Sequence, residues 1–243
     1  MFLFGYYSPY GMYGYSSNYF IYLLLVMLIP LIVQGKLTST MNKYLRVRSS
    51  SGLTGSEVAR KILDMNGLRD VHVTQVSGRL SDHYDPTRRV VRLSDDIYRG
   101  TSIASVAVAA HECGHALQHA QGYAALKFRS AMFPVVNIAN KFGYVAIILG
   151  FIFSSTLGNN FLLLGIGLVA VTVLFQVVTL PVEYNASSRA IKQLESIHVL
   201  HGNEEVAGAK KVLSAAALTY VAGAVVAILE LLRLVAIFNS RND

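Results

Sequence analysis

AVAAHECGHALQHAQGY, residues 107–123, decides how the chain is read. It holds His-Glu-x-x-His, from His111 to His115, directly after an apolar run, and carries a third histidine, His119. On a helix, positions i and i+4 share a face, so His111 and His115 can turn two imidazoles toward one ion. Glu112, beside the first of them, can reach a water activated by that ion and serve as general base. The pattern predicts a helix over 102–121, with Gly122 ending it. The apolar residues ahead of His111 raise a second question, whether the reaction belongs to water or to a membrane.

The bulk composition answers part of it. Of 243 residues, 53% are hydrophobic and only 14% charged, against about 25% charged in ordinary soluble domains. Four apolar stretches approach the roughly 20 residues that cross a bilayer core. They occupy 19–35, two runs within 142–180, and 212–238. Pro30 is expected to kink the first, and Gly158, Asn159 and Asn160 read as the hairpin turn between the second and third.

The net charge of +7 is a topology signal rather than a nucleic-acid footprint. No Lys or Arg precedes Lys36, fifteen lie within 36–141, and four lie within 181–211. Basic loops stay on the cytosolic side, so 36–141 and 181–211 are expected there, with both chain ends outside. No recognition motif accompanies the charge, which excludes a nucleic-acid partner. The Tyr- and Gly-rich tail 1–18 lacks a positive n-region and reads as an outer segment near the headgroups rather than a cleavable signal. A second short tail is expected over 239–243. The single cysteine, Cys113, excludes an intramolecular disulfide.

Within 36–141, Thr54 and Glu57 form a capping-box pattern ahead of a short helix that ends at Asn66-Gly67. DVHVTQV, 70–76, alternates as a strand. GRLSDHYDPTRRVVRLSD reads as two extended pieces joined around Asp85-Pro86, and Ser94 as the cap of a short turn, DDIYRG. RRVVRLSD, 88–95, reads either as a sheet edge on which an extended peptide adds or as an ordinary strand of a small sheet.

A catalytic zinc needs a third protein ligand and an open fourth position. His119 is excluded, since a straight helix puts it about 12 Å along the axis from His111. The turn pattern that brings a third histidine back, HExxHxxGxxH, is absent. Glu183, in LPVEYNASSRA (180–190), is the better ligand. Two spans separate it from His115, so both return to the same side. One turn after Glu183, Ser187 can hydrogen-bond the outer nitrogen of a zinc histidine, whereas Asn185 points elsewhere. Asp82, His83 and Asp85 offer polar groups near a cleft, with His83 and Tyr220 as candidate oxyanion donors. His72, His198 and His201 read as surface histidines. Cys113 reads as packing.

SDHYDPTRRVVRLS, AAHECGHALQHA, PVEYNASSRA and AAALTYVAGAV, in that order around the apolar stretches, resemble the YugP-type neutral zinc metallopeptidases, which are bacterial membrane proteases. The resemblance covers nearly the whole chain after the tail. It implies a multi-pass enzyme of the bacterial cytoplasmic membrane, with His111, His115 and Glu183 as zinc ligands and Glu112 as base. The arrangement is similar, more distantly, to HtpX-like and CAAX prenyl-type membrane proteases, which carry aspartate one turn after the third ligand where this chain has Ser187.

The expectation is therefore a mainly α, polytopic membrane protein with about four transmembrane helices and a zincin-like cytosolic catalytic region containing a small β-sheet. Its function is that of a gluzincin-like endopeptidase holding one zinc per chain, acting on polypeptides that include membrane proteins, with the lipid bilayer as its surroundings. Three alternatives stand beside it. A site-2-type intramembrane protease would place IASVAVAA, 103–110, in the bilayer, although that run is shorter than a span. A non-catalytic zinc scaffold would not need Glu112. A metal transporter would need several ionisable groups within its spans; only Glu230 and Arg233 fall there, three apart on one face and so placed to pair with each other.

Overall fold

The computed structural model describes residues 17–153 and 156–242. The tail expected over 1–18 falls almost wholly outside them. Among these residues, seven helices and three strands follow in the order α1 (Ser17–Tyr44), α2 (Gly55–Met65), β1 (His72–Val76), β2 (His83–Asp85), β3 (Val90–Ser94), α3 (Asp95–Tyr98), α4 (Ile103–Ala120), α5 (Ala124–Ile152), α6 (Thr156–Ser196) and α7 (Gly202–Asn242). The protein is thus mainly helical with one small sheet. The described residues divide into two units, one drawing on 17–33, 129–153, 156–178 and 220–242, the other on 34–128 and 179–219.

The first unit is the apolar one. Among the described residues, four helices are long and apolar enough to cross a membrane, α1, α5, α6 and α7, and this unit takes residues from each. Phe20, Met27, Ile32, Phe133, Ile138, Phe142, Ile148, Leu163 and Leu174 are exposed, as side chains that face lipid should be. Where α5 meets α6 the backbones approach closely, since a Cβ on Gly150 would lie 2.8 Å from the Leu162 amide nitrogen. Small residues at such contacts are how helices pack in lipid, where the hydrophobic effect supplies no drive. The expected Glu230–Arg233 pair is present, with Arg233 donating to both carboxylate oxygens at 2.7 and 3.1 Å. Tyr22 donates its hydroxyl to the same carboxylate, and Arg233 stands over the Tyr22 ring.

The hairpin turn is displaced from its expected place. Helix α5 ends at Ile152 and α6 begins at Thr156, so Gly158, Asn159 and Asn160 lie in the first turns of α6. A Cβ on Gly158 would fall 1.8 Å from the Phe153 carbonyl oxygen. The glycine is therefore needed where the new helix closes against the end of the old one, not in the connection itself.

The second unit carries a conventional core. Thr54 and Glu57 form the expected capping box at the start of α2, and Val58, Ile62 and Leu63 of α2 bury against Ala104 and Ala107 of α4, Val91 and Leu93 of β3, and Leu194 of α6. Strand order is β1-β3-β2, with β3 parallel to β1 and antiparallel to β2. The reading of 88–95 as the sheet edge is thereby overturned. Val90, Val91 and Leu93 are all buried, the near-continuous apolar pattern of a central strand covered on both faces. Between β2 and β3 the chain turns at Asp85, whose Oδ1 accepts from the amides of Thr87 and Arg88 at 3.0 Å each.

Ser94 occupies the N-cap position of α3 but makes no side-chain cap bond there. Its amide and hydroxyl instead donate to Asp82 Oδ1 at 2.7 and 3.0 Å.

Candidate metal centre

Helix α4 starts at Ser102, whose hydroxyl accepts from the Ser105 amide at 3.0 Å. It stops at Gly122, which holds φ +65 while the amides of Gly122 and Tyr123 donate back to the His119 and Gln118 carbonyls. That is a Schellman stop, available cheaply only to glycine. Between the caps, Ile103, Ala104, Val106 and Ala107 are buried in the protein core, so the apolar run ahead of His111 packs against protein.

Helix α6 brings Glu183 to this face of α4. The Nε2 atoms of His111 and His115 lie 3.3 and 3.5 Å from Glu183 Oε2, and the three donor atoms fall within 4.8 Å of one another. The two rings stand edge-on, with centroids 4.8 Å apart. Glu183 is only 2% exposed. A carboxylate so buried is costly unless a cation or several hydrogen bonds face it.

The backs of both rings are held. Ser187 Oγ lies 3.2 Å from His111 Nδ1, as the spacing of the two residues on α6 led one to expect. His115 Nδ1 lies 3.0 Å from Gln118 Oε1. With each Nδ1 engaged, each Nε2 remains to face Glu183. Two imidazole nitrogens and a carboxylate oxygen, each oriented from behind, form a donor set that suits zinc and leaves room for a fourth ligand. The residues present therefore fit that ion.

Glu112 is 7% exposed and lies on the same helix. Burial pushes its carboxyl above the ordinary carboxylate range; His111 and His115 pull it back, and Asp82 and Glu183 push it further up. For His115, burial disfavours the charged ring, but Glu183 and Glu112 outweigh it and the net direction is up.

The remaining sequence candidates sort clearly. His119 is exposed and hydrogen-bonds the Tyr84 hydroxyl of β2 at 2.9 Å through Nδ1, outside the converging trio. Asn185 turns to Gln118 and Arg189. Asp82 and Asp85 are committed to the loop and turn bonds given above, and His83 is exposed with Nδ1 2.7 Å from the Ser81 carbonyl. Tyr220 belongs to the apolar unit. His72, His198 and His201 are exposed. Cys113 is fully buried, directs its thiol at the Ala59 carbonyl, and has its pKa raised by burial, which is the packing role expected of it.

Residues 19–239 match the family described as "Putative neutral zinc metallopeptidase". The chain belongs to that family. It is also 53% identical over 210 residues, covering 86% of this chain and 92% of its relative, to the "Putative membrane protease YugP" of Bacillus subtilis (strain 168). No solved structure matches it. For a zinc metallopeptidase of the membrane, zinc is the implied cofactor, and the His111–His115–Glu183 trio is where the described residues offer a place for it.

Two residues of this metallopeptidase escape sequence reasoning. Gln118 is wholly buried between α4 and α6. The available signal was its position three residues after His115, on the ligand-bearing face. Gly114 lies where α4 comes close to α6, since a Cβ there would be 2.6 Å from the Ala186 carbonyl oxygen. Nothing local in the sequence announces that contact.

Proposed function

We propose that the chain is a zinc-dependent membrane endopeptidase whose active site faces the cytosol. The observation that carries this reading is the convergence of His111, His115 and Glu183 on helices that also bury Glu112, the residue after His111. His111, His115 and Glu183 hold one zinc. When bound, it supplies the Lewis acidity that makes water nucleophilic near neutral pH and polarises a scissile carbonyl.

The chain's own residues do the rest. Glu112 accepts the proton that the attacking water gives up. It returns a proton to the amide nitrogen as the C–N bond breaks, leaving a carboxylic acid and an amine. Ser187 and Gln118 hold the two imidazoles in place.

Strand β2, paired only with β3 among the described residues, takes over the edge role considered for 88–95. Tyr84 of β2 bonds His119 of α4, so an extended peptide adding to the open edge of β2 would run beside the helix that carries the ligands. Main-chain pairing of this kind demands little of the substrate's sequence. The class proposed is unfolded polypeptide at the bilayer surface, including segments of membrane proteins.

Cytosolic placement is supported by the fifteen Lys and Arg of 36–141. The site-2-type alternative gains nothing from α4, whose apolar half is buried in the protein core and which is not among the four helices suited to span a membrane.

Metal removal tests the reading. Detergent-purified protein incubated with an unfolded polypeptide such as casein is expected to release new amino termini. It should fall to the buffer rate after exhaustive chelation and recover on adding about one zinc per chain. Cleavage that persists through chelation would contradict the proposal.

A further inference from the structure

The bonds around Gln118 form a chain whose polarity is fixed at both ends. Arg189 donates from Nε to Asn185 Oδ1 at 2.7 Å. A guanidinium has no acceptor, so the oxygen of Asn185 must face it. That same oxygen lies 3.0 Å from Gln118 Nε2, which also lies 2.8 Å from the Val182 carbonyl oxygen. Both neighbours accept only, so the nitrogen of Gln118 must point to them. Its oxygen is left 3.0 Å from His115 Nδ1, where only an N–H can satisfy it. His115 therefore carries a proton on Nδ1, which leaves Nε2, 3.5 Å from Glu183 Oε2, as its nitrogen for a metal.

The amide does a second job in the same place. Val182 immediately precedes Glu183, so the bond to its carbonyl ties α4 to the α6 backbone one residue from the proposed third ligand. Gln118 is 0% exposed, and water does not compete for these bonds. Arg189 is steadied in turn by Gln121 Oε1 at 2.6 Å and by the Tyr123 ring.

We propose that Gln118 is a positioning residue, held in one amide orientation by Asn185 and Val182, that sets the His115 tautomer and the spacing of α4 from Glu183 for metal capture. This rests on the zinc reading above. It goes beyond that reading because Gln118 touches neither metal nor substrate and acts only through His115 and α6.

Zinc affinity of the full-length protein in detergent, measured by competition with a chelating dye, separates this role from packing when set beside thermal unfolding of the metal-free protein. Gln118→Met fills the space but loses all three bonds, and should bind zinc about 10–100-fold more weakly. Gln118→Glu keeps the acceptor for His115 yet turns a carboxylate oxygen toward Val182 and Asn185. It should bind zinc more tightly than Gln118→Met while its metal-free form melts lower. Opposite orders in the two measurements are the expected signature. Matching orders, with Gln118→Glu the weaker binder, would mean Gln118 only packs and would overturn the proposal.

Asn185→Ala keeps the glutamine and its Val182 bond, so it tests the same chain without a buried substitution of Gln118 itself; a weaker zinc affinity at unchanged melting temperature is expected. Wild-type affinity there and in Gln118→Met, with zinc lost from Glu183→Ala, would overturn the role of Gln118 alone. Absence of zinc binding by the wild type would overturn the metal centre and this inference together.

Discussion

Glu112→Gln should leave zinc content unchanged and slow peptide hydrolysis by about 10²–10⁴-fold, the usual contribution of a positioned general base. The two side chains have nearly the same shape, so a residue only 7% exposed is replaced without a cavity. What disappears is the ability to take a proton from water. The variant keeps zinc because Glu112 is not one of the three donors that converge within 4.8 Å. The pairing of results is what matters. A scaffold that binds zinc for structure would be indifferent to the change in both measurements. Loss of zinc would make Glu112 a ligand, and full activity would remove it from the chemistry.

The second large effect is expected at Gly114, a residue with no functional group. A methyl added there would lie 2.6 Å from the Ala186 carbonyl oxygen and 3.2 Å from its carbonyl carbon and Cα. These are backbone atoms of a helix and cannot rotate aside, so α4 and α6 must separate. Overpacking of this kind costs about 1–3 kcal/mol. The cost in function should be larger, because the same movement draws His111 and His115 away from Glu183. Gly114→Ala is expected to lower the thermal midpoint and to bind zinc at least about tenfold more weakly, in line with disturbed outer-shell support. Its neighbour supplies the control. Cys113 points its thiol at Ala59, away from the trio, so Cys113→Ala should keep zinc. If Gly114→Ala binds zinc like the wild type, the close approach of the helices does not set the site.

Much of this was legible in the sequence because the chemistry is local or topological. His111, Glu112 and His115 are read from helical spacing alone. Glu183 follows from the parity of the apolar stretches, and Ser187 from its place one turn beyond Glu183. Thr54 and Glu57 announce their helix directly. The misreadings share a different cause. Gly158 reads as a turn residue because glycine looks the same whether it supplies a left-handed φ or makes room for a neighbour; here it makes room for the Phe153 carbonyl. RRVVRLSD admits an edge as well as an ordinary strand, but Val90, Val91 and Leu93 break strict alternation, the mark of a strand buried on both faces. Gln118 carries no local mark of burial, since only the return of α6, more than sixty residues later, covers it. Gly114 was hidden in the same way, its partner Ala186 lying far along the chain.

The central claim is that His111, His115 and Glu183 hold one zinc between α4 and α6. Its most direct test is the metal content of the detergent-purified protein, wild type beside Glu183→Ala, after equilibration with zinc and removal of the excess. The arrangement of the three donors predicts about one zinc per chain in the wild type and little or none in the variant, with both proteins folded by circular dichroism. Equal zinc in both would show that Glu183 is not a ligand, and a wild type that holds none would remove the metal centre altogether.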